Sequence, residues 1–366
     1  MACFQRQGLC SAWRYLPLGS LLLSLSLAAY LALASPSGLH RRLQAEQLVP
    51  QAPAMGGSPS VTSSDQRDPA LRPWVEPISW QPRAFVYHHF LSDAECDHIV
   101  ALAKPQMRRS TVVGDNGGSV TDSIRTSYGT FLRRFSDPVL TKVEHRLARW
   151  THLNITYQED MQILRYAKGQ KYGAHYDSLA DQSPRIATVL MYLGNGTLDG
   201  GETAFPVGSS WLHPSLAGKF GPFSPCAEQH LAVKPRKGMA LLFYSLKPTG
   251  ESDYSSMHTG CPVIEGIKWT ATKWIHTGPF HEEWINSPES ADPKRDPEVC
   301  MDYEDRCSGW AKSGECKKNP AFMVGDNFSL GACRKACQQC TICKPLSDIK
   351  CRSQNREQAG FLPILD

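Results

Sequence analysis

Strong net charge is what this sequence lacks. Its 39 lysines and arginines are nearly balanced by 35 aspartates and glutamates, leaving +4 on 366 residues. So weak an excess offers no field to hold a polyanion, and no basic stretch interleaved with aromatics appears. Nucleic acid is therefore excluded as a partner. Cysteine is sparse over the first 299 residues and dense after them, eight of the 13 falling between Cys300 and Cys351. Such density does not suit a reducing cytosol and points to an oxidising compartment. An apolar share of 41% and a charged share of 20% are ordinary for a globular protein. The length allows one large domain or two moderate ones.

Charge is missing altogether from Leu16 to Ala34. As a helix these residues would span about 28 Å, close to a bilayer core. One reading is an uncleaved signal-anchor with residues 1–15, which carry Arg6 and Arg14, in the cytosol. The other is a cleaved signal peptide, because Ala32-Leu33-Ala34 before Ser35 fits the small-x-small rule. The run exceeds a signal core of about 7–15 residues, which favours the anchor. His40, Arg41 and Arg42 on the far side weaken the charge argument for orientation. Both readings deliver the rest of the chain to the secretory pathway.

Residues 35–82 are rich in Pro, Gly, Ser, Ala and Gln without apolar periodicity, and predict a disordered stalk. A folded domain is expected over 83–280. Arg83 to Leu91 reads as a strand. Ser92 and Glu95 form a capping box that opens a helix to about Ala103. Val139, Val143, Leu147 and Trp150 repeat at helical spacing after Asp137-Pro138. From Asp160 onward, residues 161–166, 186–193, 231–233, 238–244 and 269–276 read as strands between Gly/Pro turns. Helices followed by many short strands predict an α+β domain, helices packed on a β-sandwich. Between the helices, residues 113–121 are a polar, glycine-rich surface turn or a loop covering a site.

Two stretches carry the chemistry. Gln162 to Asp177 ends in His175-x-Asp177, and His258 opens a second stretch that runs through Lys268 to Trp274. A His and an Asp two positions apart on an extended chain share a face. A second imidazole completes the facial triad that holds non-haem Fe(II) and leaves the opposite positions open. Lys268, in the apolar setting Gly266-Ile267-Lys268-Trp269, needs an anionic partner and can meet the far end of a dicarboxylate. His-x-Asp alone is a common chance pair, and Tyr166 or Trp274 alone reads equally as a core aromatic. The weight lies in the order and spacing of the whole set.

In that order and context, residues from about Phe85 to Phe280 resemble the prolyl 4-hydroxylases of the Fe(II)/2-oxoglutarate dioxygenase superfamily, nearest the single-polypeptide plant and algal type. Lysine at 268, where most of the superfamily uses arginine, is similar to that group. The resemblance implies a double-stranded β-helix (jelly roll) with flanking helices. It implies Fe(II) on His175, Asp177 and His258, and 2-oxoglutarate on Lys268 and Tyr166, with Thr188 on the same wall. Arg185 and Trp274 resemble positions that contact a proline-rich peptide, whose polyproline form docks on aromatic grooves. Further implications are ascorbate as reductant, a Cys226–Cys261 disulfide, a groove strand at 125–131 and a closing role for residues 113–121. The reaction so implied hydroxylates peptidyl proline at carbon 4 and converts 2-oxoglutarate to succinate and carbon dioxide. Residues 35–82 leave no room for the helical peptide-binding domain of animal collagen hydroxylases. Two rivals remain: a dioxygenase acting on lysine or a small molecule, and a non-catalytic binding protein. Lys268 with Trp274 argues against the first, and retention of all three ligands against the second.

After a linker at 281–299, Cys300, Cys307, Cys316, Cys333, Cys337 and Cys340 resemble a ShK toxin-like domain over 300–340, followed by a tail at 341–366. So small a segment cannot bury a sufficient core without bridges. The resemblance implies the pairs Cys300–Cys340, Cys307–Cys333 and Cys316–Cys337. Cys343 and Cys351 are candidates for a further bridge, and Cys96 for a buried free thiol. A zinc cluster is the rival reading, against which the secretory signal argues. Asn154, Asn195 and Asn327 head glycosylation sequons. The expected setting is the endoplasmic reticulum membrane, single-pass with a lumenal catalytic domain. The Golgi is the alternative, since the chain ends in Leu-Pro-Ile-Leu-Asp366 without a retention tetrapeptide. Nothing in the sequence sets an oligomeric state or names the proline-rich substrate.

Overall fold

The structure, a computed structural model, describes residues 72–110, 126–178, 183–194, 199–281, 295–326 and 329–364, with the backbone of 112–113 and 119–120. The expected membrane segment at 16–34 and the sequons at Asn195 and Asn327 lie outside the described residues, as do Arg125 and most of 113–121. Among the described residues no helix is long and apolar enough to cross a membrane.

Two helices form where the sequence places them. Ser92 caps helix α1 (Asp93–Ala103), accepting from the Glu95 amide at 3.2 Å while the Ser92 amide donates to the Glu95 carboxylate at 2.9 Å. Asp137 caps helix α2 (Pro138–Thr151), with proline at the first position, and His152 ends it in the left-handed region at φ 56°. Cys96, Ile99 and Ala103 of α1 and Leu140, Val143 and Leu147 of α2 are buried on one shared core.

The strands, in chain order, are β1 (Trp74–Trp80), β2 (Arg83–His88), β3 (Arg108–Arg109), β4 (Val112–Val113), β5 (Ser119–Val120), β6 (Tyr128–Leu132), β7 (Met161–Tyr166), β8 (Tyr172–His175), β9 (Arg185–Tyr192), β10 (Asp199–Gly200), β11 (Thr203–Phe205), β12 (Leu231–Val233), β13 (Ala240–Tyr244), β14 (His258–Gly260), β15 (Val263–Glu265) and β16 (Lys268–His276). An eight-stranded antiparallel sheet runs β1-β2-β13-β9-β16-β7-β6-β3, and a four-stranded one runs β12-β11-β14-β8. The helices cover one face of the large sheet through Ile163, Val189, Ala271 and Ile275. Its other face meets the small sheet, where Val86, Tyr192, Leu241 and Phe243 pack against Phe205, Leu231 and Val233. Helices on one side and a second sheet on the other make the large sheet the middle layer of a jelly roll. All six residues of β7 are buried, because both its faces are covered.

The ordered chain begins earlier than the composition suggests. β1 lies inside the span read as stalk and pairs with β2 from Trp74↔His88 to Trp80↔Arg83. Pro77 and the register shift between Pro77 and Ser79 break the alternation that marks a strand in sequence. Proline is tolerated there because β1 is an edge strand. Deep in the helix–sheet interface Lys273 of β16 donates to the Glu144 carboxylate at 2.9 Å and to the Glu159 carbonyl at 2.5 Å.

The C-terminal segment carries bridges Cys300–Cys340, Cys307–Cys333, Cys316–Cys337 and Cys343–Cys351. Its own core is small: Cys307, Met323, Ala332 and Cys333. Residues 341–366 include a helix, Ile349–Gln358, and a docked strand residue, Phe361, that bridges Arg108 at the β3 edge. The Arg109 amide donates to the Gly360 carbonyl and the Leu362 amide to the Met107 carbonyl, both at 2.9 Å. Leu362 enters the core of the catalytic layers. Buried Arg356 donates to the Leu362 carbonyl at 2.8 Å and to the Pro105 carbonyl at 3.0 Å.

Candidate metal and co-substrate site

β8 and β14 are antiparallel neighbours, and their register sets His258 directly opposite His175. Asp177 follows β8 on the same face as His175. One donor atom from each of His175, Asp177 and His258 lies within 4.8 Å of the others. The two Nε2 atoms each stand 3.5 Å from an Asp177 oxygen. Each Nδ1 lies beside a backbone carbonyl, Gly173 at 2.8 Å for His175 and Ser256 at 3.0 Å for His258. A ring nitrogen facing a carbonyl carries the proton, so Nε2 is the atom each ring turns toward Asp177 and offers to a metal. Two imidazoles and one carboxylate on one side of a pocket are the donor set that a facial Fe(II) centre requires. The residues present fit the metal.

The electrostatics agree. Burial pushes the His258 imidazole down to about 4, partly opposed by Asp177, which leaves it neutral at pH 7. Burial works against ionisation of Asp177, yet His258, His175 and the Thr188 hydroxyl outweigh it and hold the carboxyl well below the usual range. Thr188 donates to Asp177 Oδ2 at 2.7 Å. Its expected place on the co-substrate wall is thus a place in the same pocket, with the hydroxyl committed to the metal-facing carboxylate.

At the other end of the pocket stands Lys268, 4% exposed and opposite Tyr166 in the β16–β7 register. Its Nζ lies 5.5 Å from the Tyr166 ring centre and 6.0 Å from that of Tyr192. Among the described residues no carboxylate is within ion-pair reach, and burial brings its pKa down to about 8 against a weaker upward pull from Glu202. A Cβ added to Gly260 would stand 3.7 Å from this ammonium, in ordinary van der Waals contact with it. Thr270, Thr272 and Trp274 repeat along β16 with the parity of Lys268 and line the same wall. Among the described residues the buried Thr270 hydroxyl and Trp274 indole N–H have no hydrogen-bond partner. Orphan donors aimed into a pocket are groups a polar ligand would satisfy. The sequence reading missed Thr270; the period of two from Lys268 was the signal for it.

Arg185 is more constrained than a surface contact residue. It forms a double bridge to Glu159, at 2.5 and 3.1 Å, donates to the Asp177 carbonyl at 3.1 Å, and lies 3.9 Å over the Trp274 ring. His276 also meets Glu159, at 2.7 Å. Burial alone would raise the Glu159 pKa, but His276 and Arg185 hold it below normal. Neither Glu159 nor His276 was legible as part of the site, because no spacing links them to the motif. Tyr172 stacks on His175 with centroids 3.8 Å apart. The Cys226–Cys261 bridge ties down the chain just past β14, and Cys96 is a buried free thiol whose pKa burial lifts to about 12. Asn154 is exposed, with its side-chain oxygen accepting from the Thr156 amide at 3.0 Å.

Comparison with known proteins gives concordant results. Residues 161–276 match the profile of the 2OG-Fe(II) oxygenase superfamily. Probable prolyl 4-hydroxylase 6 of Arabidopsis thaliana is 46% identical over 274 residues, covering 73% of this chain and 89% of that protein. Prolyl 4-hydroxylase 2 of the same plant is 45% identical over 273 residues, covering 73% and 88%. Among solved structures, the 2OG complex of the viral collagen prolyl hydroxylase from Paramecium Bursaria Chlorella virus-1 aligns at 25% identity with a TM-score of 0.39, over 53% of this chain and 95% of that one.

Proposed function

The chain belongs to the prolyl 4-hydroxylases of the 2OG-Fe(II) oxygenase superfamily, and we propose on that premise how its own residues serve the 4-hydroxylation of peptidyl proline. One observation carries the assignment of roles: a three-donor candidate metal cluster and a buried ammonium with no carboxylate partner among the described residues line one pocket.

His175, Asp177 and His258 hold Fe(II). Thr188 and the Arg185 guanidinium keep Asp177 oriented, one through its side chain and the other through its carbonyl. Lys268 and Tyr166 receive the distal carboxylate of 2-oxoglutarate, and the Thr270 hydroxyl gains a partner there. The bound metal and co-substrate supply the redox chemistry: dioxygen and 2-oxoglutarate are consumed, succinate and carbon dioxide leave, the proline gains a 4-hydroxyl, and ascorbate keeps the iron ferrous. The apolar wall of Leu164, Leu190 and Phe243 keeps bulk water out, which strengthens the Lys268–carboxylate attraction. The Glu159–Arg185–Trp274 stack borders the proline-rich peptide, Trp274 offering the flat surface that a proline ring prefers.

The setting is a secretory one. Five disulfides among the described residues support an oxidising lumen. The uncharged run at 16–34 supports a single-pass anchor in the endoplasmic reticulum or Golgi membrane.

Tandem mass spectrometry of an oligoproline peptide incubated with the full chain, Fe(II), 2-oxoglutarate and ascorbate tests the reaction. One added oxygen on proline carbon 4, matched by succinate and absent with Asp177→Asn, is expected. Succinate without peptide oxidation would retain the oxygenase and discard proline as substrate.

A further inference from the structure

Three arginines gather where the cysteine-rich segment meets the catalytic layers, and each pair of them shares a neighbour. Arg108 of β3 donates to the Asp326 carbonyl at 3.1 Å, and Arg295 donates to the Leu330 carbonyl at 2.5 Å. Asp326 and Leu330 belong to one turn, closed by the Gly325–Leu330 bridge. Arg295 lies 5.7 Å from the Tyr303 ring centre, and Tyr303 is within electrostatic reach of Arg334 as well. Arg334 donates to the Asn355 carbonyl at 3.2 Å, and Arg108 lies 4.0 Å over Phe361 of the same docked tail. Arg334 is 2% exposed, yet its Nη1 has no hydrogen-bond partner among the described residues, and neither has the buried Nε of Arg295. The carboxylate of Glu298 is committed elsewhere, to Arg352 and Arg356. That of Asp326 accepts from the Ser329 amide at 2.7 Å and its hydroxyl at 3.1 Å. Burial pushes the Arg108 guanidinium down from its ordinary pKa; Asp326 opposes this and Arg334 adds to it.

We propose that Arg108, Arg295 and Arg334 form a binding site for a doubly charged tetrahedral oxyanion, a phosphate or sulfate, which ties the cysteine-rich segment to the catalytic layers. The charges set the ligand. Asp326 is the carboxylate that acts on this cluster, so two of the three positive charges stay uncompensated, and a dianion matches them. A guanidinium keeps its proton at any ordinary pH, so neutralisation cannot relieve its burial. Water would satisfy the orphan N–H groups but leave the charge unopposed. Forked N–H donors fit the oxygens of phosphate and sulfate, and such charge-assisted bonds are the strong ones. The donors come from three separate pieces of chain: β3, the stretch before Cys300, and the residue after Cys333. That suits an anion whose oxygens point apart better than a flat carboxylate.

Isothermal titration of the full chain with inorganic phosphate, at neutral pH and with chloride holding the ionic strength constant, tests the site. One phosphate per chain is expected. Arg334→Gln and Arg295→Gln should each weaken binding about tenfold, the worth of one charge-assisted hydrogen bond. Arg306→Gln, which removes an exposed guanidinium of the same segment, should leave it unchanged. Sulfate should displace phosphate and acetate should not, and phosphate should raise the Tm of the parent more than that of Arg334→Gln. Should Arg334→Gln fail to fold, Arg295→Gln decides by the same titration. Absence of binding to the parent, binding undiminished in the glutamine variants, or an equal loss in Arg306→Gln overturns the site. Displacement by acetate as readily as by sulfate overturns its choice of a tetrahedral dianion. None of these measurements involves turnover, so the anion site stands or falls apart from the proposed reaction.

Discussion

Lys268 holds its proton only to about pH 8, whereas an exposed lysine holds it to 10.5. Between those values the unfolded chain binds more protons than the folded one, so stability rises with pH across that window. At pH 7 the buried charge therefore costs roughly 3 kcal/mol, at 1.36 kcal/mol for each tenfold change in proton affinity. Lys268→Met is expected to raise Tm at pH 7, to lose that advantage by about pH 11, and to abolish turnover of 2-oxoglutarate. Thermal scans at the two pH values beside a succinate assay check all three; a lower Tm at pH 7 would mean that the ammonium has a stabilising partner. On the proposed role of Lys268, the same protonation governs recognition of a dianion: kcat/KM for 2-oxoglutarate should fall as pH climbs through about 8, and Lys268→Arg should flatten that limb. At this scale much of the site was legible. His175, Asp177 and Lys268 declare themselves through parity on a strand and through the chemistry of their residue types. Arg185 was legible as a site residue, but its tie to Glu159 was not, since that pair is 26 residues apart and meets only because both flank the end of β16, Arg185 paired with His276 and Glu159 bonded to Trp274.

The β14 strand and the chain just past it show how an element presents a ligand. His258 sits at the start of three paired residues, and the Cys226–Cys261 bridge and the Cys261 amide to Glu202 carbonyl bond, at 2.8 Å, secure the residues beyond it. Replacing both cysteines by serine should weaken Fe(II) binding, read by titration with the metal, more than it weakens binding of a peptide to enzyme saturated with iron. At the opposite edge, the Gly360–Leu362 segment completes the β3 side of the large sheet. Leu362→Ala removes a fully buried side chain and should cost about 2–5 kcal/mol, measured by denaturant unfolding. A change within error would show that the tail rests on the surface. The element pattern was readable where both capping and periodicity spoke, as in α1 and α2. It was unreadable in β1, where an internal proline and a bulge erase alternation, and in the docked tail, where a single apolar pair comes after a polar helix.

Across the whole molecule the C-terminal segment and the catalytic layers are one connected structure. Arg356 reaches Pro105 across 251 residues of sequence, and Arg108 donates to the Asp326 carbonyl at 3.1 Å while lying over the Phe361 ring. Reduction of the disulfides should therefore lower the stability of the catalytic layers as well as of the cysteine-rich segment. Hydrogen exchange with and without reductant checks this at β3 and α1; protection lost only beyond residue 295 would refute it. The amino-acid sequence by itself determined the candidate metal donors, the lysine at the far end of the pocket and the placement of both capped helices ahead of the strands that carry them. Each of these is written in residue types and short spacings, where chain stereochemistry alone decides which side chains share a face. Tertiary structure decided the rest: the commitment of Thr188 to Asp177, the Glu159–Arg185–Trp274 stack, the buried Lys273–Glu144 pair and the anchoring of Leu362. These join residues from strands and helices far apart in the chain, and their meeting depends on sheet order and packing, which no local period encodes.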